Sequence, residues 1–265
     1  MRILVAAALL TLTTLCGVSF AQYNIPADTL SKSEDDTTQV KKPVKSNPID
    51  EQEAQPKSRE NQDAARKFAD DWIRRLLYRG WLDFSHIGGY STYQLTDWNE
   101  GTGSYGPVQA RIMIKYLGQS SWLGKDAEWI QASVEIEDEE PTVIDYDFTI
   151  PSSEKLQDIY SVLYRIDGGD VQTGSFALPD GQLDYDRADR PTSTIHKEVK
   201  MYSGTYQVEE FLGSGSNGAA VTIYRANDIQ PIRVLMLGYG DKALTYIRGG
   251  SDATPRFSVP PPPGK

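Results

Sequence analysis

The hydrophobic pattern of the chain changes its period near Gly80, and this change constrains the fold more than any other feature. Over residues 61–78 the apolar side chains, among them Phe68, Trp72 and Ile73, recur at helical spacing with charged residues between them. This spacing predicts an amphipathic helix that packs on a sheet and ends near Gly80. After Gly80 apolar and polar residues alternate, which is typical of strands with one buried face.

Short alternating segments fill most of the chain after the helix. Three follow one another, at residues 108–116, 130–136 and 144–150, with turn-forming residues between them. Later segments of the same kind occupy residues 160–166, 171–178, 198–202, 206–212, 220–225, 232–237 and 243–247. Closely spaced short strands predict an antiparallel meander. We therefore predict a mainly β (α+β) fold, with a strongly curved antiparallel sheet or half-barrel and the N-terminal amphipathic helix packed on it.

The first residues of the chain predict export. Arg2 precedes a largely apolar stretch, and Ser19 and Ala21 place small residues three and one before a cleavage site that follows Ala21. A charged start, an apolar middle and small residues before the cut define a secretory signal peptide. We expect residues 1–21 to be this signal peptide and the mature chain to begin at Gln22.

Two alternatives apply to the same segment. A transmembrane helix needs about 20 predominantly apolar residues, and several threonines dilute this run, so we expect no stable transmembrane anchor. Cys16 suggests a lipidated cysteine, but Leu15 stands where a lipoprotein signal would place a small residue. Because Cys16 is the only cysteine, cleavage after Ala21 leaves a mature chain without disulfides or thiol chemistry.

The remaining chain divides into three parts by composition. Residues 22–60 combine prolines with charged and polar residues, and such a segment buries too little apolar surface to offset its ordering entropy, so we predict a disordered tether. Residues 61–257 form the predicted single curved β-sheet domain. Residues 258–265 form a Pro-rich tail, for which we expect a polyproline II conformation.

The charge balance excludes one class of partner. The formal net charge is -10, and the acidic residues are spread along the chain. An acidic surface repels phosphate backbones and anionic headgroups, so we expect no nucleic-acid binding.

Motifs for catalysis or metal binding are weak. The two histidines, His86 and His196, have no partner at metal-ligand spacing, and no Gly-x-Ser-x-Gly motif marks a nucleophile. Asp184, Asp186 and Asp189 resemble half of a calcium loop but lack its glycine and glutamate. We therefore predict a protein that is not an enzyme, with no catalytic residues, no metal site and no cofactor, and we keep an envelope hydrolase as a third hypothesis.

Several segments resemble a known group of exported β-sheet proteins. They are Gly89-Tyr90-Ser91-Thr92-Tyr93-Gln94, Arg111-Ile112-Met113-Ile114, Gly124-Lys125-Asp126-Ala127-Glu128-Trp129-Ile130, Val221-Thr222-Ile223-Tyr224, Pro231-Ile232-Arg233-Val234 and Leu237-Gly238-Tyr239-Gly240. Their order of strands and turns resembles that of domains grouped with the bacterial lipoprotein carriers LolA and LolB. The resemblance spans about residues 80–250 and implies a curved sheet around a helix, in the periplasm of a diderm bacterium. In these carriers the apolar concave face holds lipid acyl chains.

These observations lead to two main functional hypotheses. The first is a non-enzymatic periplasmic domain that binds a lipid, a lipoprotein acyl chain or another apolar ligand in the concavity of the sheet. Its predicted ligand-binding residues lie on one sheet face and are Ile112, Ile114, Ile130, Val134, Ile136, Ile144, Tyr146 and Phe148. The alternative is a structural or protein-interaction module of the cell envelope that binds an envelope protein partner and has no ligand cavity.

The signal-peptide assignment predicts the N-terminus of the mature protein. Because Ser19 and Ala21 satisfy the small-residue requirement of the peptidase, we expect the mature chain to start at Gln22. N-terminal sequencing or intact mass of the exported protein measures this. A start at Cys16 with a diacylglycerol adduct would contradict it.

Overall fold

The computed structural model of the chain describes residues 59–77, 82–99, 101–152, 159, 161–175, 195–214 and 218–257. The predicted signal peptide, residues 22–58 of the predicted tether and the predicted Pro-rich tail lie outside the described residues. The same holds for Gly80 and for the cluster of Asp184, Asp186 and Asp189.

Among the described residues, one α-helix precedes the strands. Helix α1 spans Arg59–Leu76, so Arg59 and Glu60 belong to the helix rather than to the predicted tether. Glu60 lies in its first turn and Arg74 and Arg75 in its last, where these charges complement the helix dipole. Within the described ranges, no helix has the length and apolar character needed to cross a membrane.

Within the described residues, eleven strands follow α1 and form one antiparallel sheet. They are β1 (Tyr90–Asn99), β2 (Ser104–Trp122), β3 (Lys125–Ile136), β4 (Thr142–Pro151), β5 (Ser161–Ile166), β6 (Gln172–Gly174), β7 (Ile195–Met201), β8 (Gly204–Ser214), β9 (Ala220–Arg225), β10 (Val234–Tyr239) and β11 (Lys242–Gly250). The prediction of a mainly β fold with an antiparallel sheet and an N-terminal helix is therefore confirmed.

The strand order is that of two meanders joined side by side. The order is β6-β5-β4-β3-β2-β1-β11-β10-β9-β8-β7, so every hydrogen-bonded neighbour is also a sequence neighbour except the pair β1 and β11. That pair runs antiparallel from Tyr90 opposite Gly250 to Asp97 opposite Lys242. Over the part of the chain that the structure describes, the sheet is not closed, because β6 and β7 lie at its two edges.

The central strand β1 was not among the predicted strands. Its sequence, Tyr90–Asn99, contains Ser91, Thr92 and Thr96, which are polar but buried. Hydrogen bonds accommodate the burial of two of them, since the Ser91 hydroxyl donates to the Gln230 carbonyl and the Thr96 hydroxyl to that of Ala243. Because β1 is buried on both faces and several of its buried residues are polar, its sequence lacks the apolar–polar alternation of a half-buried strand, and the pattern did not reveal it.

The main core is one cluster of buried apolar side chains. It contains Trp72, Ile73 and Leu76 of α1 together with residues of nine strands, from Val162 and Tyr164 in β5 to Phe211 in β8. A smaller second cluster includes Val208, Tyr224, Leu235 and Met236. The face of the sheet that carries the main cluster is called the core face below.

Trp72 provides a direct test of the energetic role of α1. Its side chain is 4% exposed, and truncating a buried tryptophan removes transfer energy and leaves a cavity. We expect Trp72→Ala to lower the free energy of unfolding by about 3–5 kcal/mol. Chemical denaturation followed by circular dichroism measures the change.

Lys67 on the exposed face of α1 is the matched control. Lys67→Ala is expected to change the stability by less than about 0.5 kcal/mol. Equal losses of stability in the two variants would contradict a stabilising contact between α1 and the core.

Candidate functional site

The structure brings the eight predicted ligand-binding residues together on the core face. They form rows of register partners across β2, β3 and β4, with Ile112 opposite Val134 and Val134 opposite Ile144. Seven of the eight are fully buried, and Ile136 is partly buried against the same cluster. The rings of Tyr146 and Phe148 stack with centroids 5.5 Å apart. These residues form one continuous apolar surface.

Polar contacts of α1 reach the same face. The Tyr146 hydroxyl donates a hydrogen bond of 2.7 Å to Asp70 Oδ1 in α1. Arg66, also in α1, donates a hydrogen bond of 3.0 Å to the Tyr164 hydroxyl, and its guanidinium lies over the Tyr164 ring. At the other end of the helix the Arg75 guanidinium lies 3.7 Å from the Tyr239 ring centroid. The helix therefore contacts strands as far apart as β5 and β10.

The hydrogen bond between Tyr146 and Asp70 has an electrostatic cost. Burial raises the pKa of the Tyr146 hydroxyl, and the Asp70 carboxylate raises it further, so this hydroxyl stays protonated and acts as a donor. Burial also raises the pKa of the Asp70 carboxyl, while the Tyr146 hydrogen bond and Arg66 act in the opposite direction. Asp70 is thus a poorly solvated carboxylate on the helix side that faces β4.

The opposite face of β2, β3 and β4 is polar yet buried, and we call it the outer face. It carries Gln131, Ser133, Asp145 and Asp147, each less than a tenth exposed. The Ser133 hydroxyl donates to Asp145 at 2.9 Å, and Trp129 and Gln131 both donate to Asp147 Oδ2, at 2.6 and 2.9 Å. Burial raises the pKa of the Asp147 carboxyl, which these two hydrogen bonds partly oppose.

Residues 251–257, here called the C-terminal strap, follow β11 and cover the outer face. The side-chain amide of Gln131 makes two hydrogen bonds to the strap backbone. Its Oε1 accepts from the Arg256 N–H at 2.7 Å, and its Nε2 donates to the Phe257 carbonyl at 3.1 Å. The Arg256 guanidinium contacts Asp145 at 3.0 Å and donates to Ser133 at 2.8 Å. Neither the polar residues of this face nor those of the strap were among the predicted site residues.

Further contacts complete the site. Arg165 of β5 pairs with Asp145 at 2.9 Å, and its guanidinium lies 4.6 Å from the centroid of the buried Phe257 ring. Lys115 of β2 donates to the Thr254 carbonyl at 3.0 Å. The sequence signal for this site was the alternation of polar residues in two adjacent strands. Gln131 and Ser133 provide it in β3, and Asp145 and Asp147 provide it in β4. Such alternation is normally a sign of a solvated face.

His86 lies in the loop before β1 and forms part of a local polar cluster. Its Nδ1 atom is 2.7 Å from the Ser85 hydroxyl. Asp83 accepts hydrogen bonds from the Ser85 backbone N–H and from Arg233. In a Ser-His-Asp triad the carboxylate instead binds the second ring nitrogen of the histidine. Asp83 therefore does not occupy the orienting position, and the pair of Ser85 and His86 lacks that feature of a triad.

The carboxylates and His196 give no metal site in the described part of the chain. No group of three or more His, Cys, Asp or Glu side chains there is arranged to hold a metal ion. His196 is an exposed residue of the edge strand β7. In the acidic turn after β3, Glu137 forms an ion pair with Arg111.

A cleft of about 610 Å³ lies at one end of the sheet, beside the β1–β2 hairpin and the β10–β11 turn. The rings of Trp98 and Tyr105 in its wall are 4.9 Å apart. A hydrogen bond from Lys242 lowers the pKa of the Asp97 carboxyl, which keeps it ionised. The cleft is polar and open, and it shares no lining residue with the eight predicted residues.

Comparison of the sequence with protein-family models and with curated proteins gives no match.

Asp145 and Asp147 provide a matched test of the outer face. Asp145→Asn removes the charge that pairs with Arg165 and Arg256, and we expect a loss of about 1–3 kcal/mol in the free energy of unfolding. Asp147→Asn keeps an acceptor for Trp129 and Gln131, so we expect a change of less than about 1 kcal/mol. Denaturant unfolding at neutral pH compares the two variants.

The pH dependence of Asp147→Asn follows from the raised pKa of the Asp147 carboxyl. A carboxyl with a raised folded-state pKa contributes stability below its unfolded pKa of about 3.9, and this contribution is lost as the pH rises through the folded pKa. Wild type should therefore gain stability relative to Asp147→Asn as the pH falls from neutral to below about 4. The opposite trend would contradict the assignment.

Proposed function

We propose that this chain is a non-enzymatic protein exported to the periplasm of a diderm bacterium, where it acts as a structural or protein-interaction module of the cell envelope. The observation that carries the proposal is the burial of the core face. Its apolar residues contact one another and share one cluster with Trp72, Ile73 and Leu76 of α1. These side chains are already used for stability, so recognition falls to the outer surfaces of the domain.

We further propose that the sheet curves around α1, as in the LolA- and LolB-like domains that the sequence resembles. Strands β5 and β8 are separated by eight inter-strand spacings, or about 38 Å in a flat sheet. A helix of 18 residues is about 27 Å long and 10–12 Å wide. Val162 in β5 and Phe211 in β8 are nonetheless buried in one cluster, which supports a curved sheet.

Binding of an acyl chain or another apolar ligand is the second candidate. Two observations favour it: the continuous apolar surface over β2, β3 and β4, and the poorly solvated Asp70 carboxylate that faces β4 from α1. In this function α1 would move away and expose the core face to the ligand. Solvation of Asp70 would then offset part of the cost of exposing apolar surface.

A non-enzymatic role is supported by the state of the polar groups. Asp145 is neutralised by two arginines, and Asp83 binds Arg233 and a backbone N–H. The polar groups of the outer face form hydrogen bonds and an ion pair with a peptide segment, the strap, and this use is consistent with a binding role.

Titration with saturated fatty acids of increasing chain length separates the two functions. If the core face is a structural core, we expect weak binding that does not depend on chain length. A bound acyl chain would instead add affinity of up to about 0.8 kcal/mol per buried methylene. Isothermal titration calorimetry of the exported protein gives the slope, and affinity that climbs with chain length would overturn the interaction-module proposal.

A pair of substitutions accompanies this titration. Val134→Asp buries a charge at a fully buried position, and we expect it to destabilise the domain strongly without any fatty acid present. Val171→Asp is the matched control, because Val171 is 42% exposed and should tolerate the charge. A folded, stable Val134→Asp protein that has lost fatty-acid binding would favour the ligand hypothesis.

A further inference from the structure

The contacts of the C-terminal strap are those of a peptide in a binding site. Gln131 binds two backbone groups of the strap, the Arg256 N–H and the Phe257 carbonyl, while Lys115 binds the Thr254 carbonyl. These hydrogen bonds recognise the extended backbone of the strap, so they do not depend on which side chains the strap carries. When a sheet protein binds an extended peptide at a strand edge, main-chain hydrogen bonds give affinity and contacts with selected side chains give specificity. Here side chains on the sheet face make the main-chain bonds instead of a strand edge.

Two side chains of the strap provide the sequence-specific part. The Arg256 guanidinium contacts Asp145 and Ser133, both of which are buried. The Phe257 ring is 8% exposed and lies against the guanidinium of Arg165. The outer face thus offers a buried carboxylate, Asp145, to a half-exposed arginine and a guanidinium, Arg165, to the aromatic ring that follows it.

The strap is attached more loosely than the strands. It begins after Gly249 and Gly250, and Ser251, Thr254 and Pro255 are exposed. Its segment 251–257 lies outside the strands, although the Ala253 N–H donates a hydrogen bond of 2.9 Å to the Gly88 carbonyl. Segments with few buried contacts open at a lower free-energy cost than the core of a domain.

We propose that the outer face of β2, β3 and β4 is a binding site for an extended peptide of a partner protein that carries an arginine followed by an aromatic residue. The strap occupies this site in cis and closes it. This inference rests on the interaction-module function proposed above and names the partner segment. The partner is basic at the docking point, which suits the buried carboxylates of the site and the net charge of -10 on the chain.

Occupation in cis determines how the site responds. A tethered segment competes at an effective concentration in the millimolar range, so a free peptide binds the intact protein weakly. Weakening the strap without altering the outer face should therefore increase the affinity for the free peptide. A merely structural strap predicts the reverse, since its loss would destabilise the domain and create no binding.

The experiment uses the full exported chain and a fluorescent peptide with the sequence of residues 251–257. The opened variant carries Arg256→Ala and Phe257→Ala, which remove the two specific anchors of the strap. Fluorescence anisotropy should show peptide binding to this variant at least about tenfold tighter than to wild type. The same peptide with alanine in place of its arginine should lose this gain.

Two further variants keep the test decisive. Ala253→Pro removes the N–H that binds Gly88 and opens the strap more mildly, so it replaces the double variant if that protein does not fold. Gln131→Ala, added to either opened variant, should abolish peptide binding because it removes the two hydrogen bonds to the peptide backbone. Circular dichroism and thermal unfolding establish that each variant is folded.

The outcomes separate this proposal from the function on which it rests. Folded opened variants without saturable peptide binding, or with binding that Gln131→Ala does not change, would overturn the peptide site. A flat fatty-acid series in the same protein would then leave the interaction-module function in place. Fatty-acid affinity that climbs with chain length would overturn that function whatever the peptide does.

Discussion

The pairing of β1 with β11 is the interaction on which the rest of the structure depends. It joins the meander β1–β6 to the meander β7–β11, and it links residues about 150 positions apart in the chain. Around it, the Trp98 N–H donates to the Asp241 carbonyl and Lys242 pairs with Asp97. Without this ladder both meanders would expose a strand edge, and the core cluster that spans β5 to β8 would divide in two. Such long-range pairing is also entropically costly to form during folding.

The central strands carry two buried faces of opposite chemistry. On the core face of β3 and β4, Val134 and Ile144 lose water in favour of apolar neighbours, which stabilises the fold. On the outer face, Asp145 and Asp147 lose water at an electrostatic cost that only hydrogen bonds and ion pairs offset. The two faces therefore have different requirements. The core face requires close packing of apolar side chains, whereas the outer face requires specific hydrogen-bond donors for its carboxylates.

Sequence patterns predicted most of the elements but neither strand β1 nor how the two halves meet. The helical spacing of apolar residues around Trp72 indicated α1, and the alternation in β2, β3 and β4 indicated three strands. Both patterns are visible in the sequence because an element that is buried on one side places apolar residues at regular intervals. Strand β1 left none, since Ser91 and Thr96 are polar and buried. Its pairing with β11 depends on register between distant segments, which no local pattern carries. The outer face was missed because a row of polar residues has the same alternation whether water or another segment covers it.

The polar groups of the outer face depend on the C-terminal strap for part of their compensation. Asp145 is almost fully buried and has cationic partners on both sides, Arg165 from β5 and Arg256 from the strap. If the strap leaves, Asp145 loses one cation and the Gln131 amide loses two backbone partners, so water or another segment must replace them. A peptide with an arginine followed by an aromatic ring would satisfy Asp145, the Gln131 amide and the Arg165 guanidinium at once, whereas water supplies no ring for that guanidinium. A peptide that replaced the strap would therefore need the same two side chains, which is why the proposed partner segment carries an arginine followed by an aromatic residue.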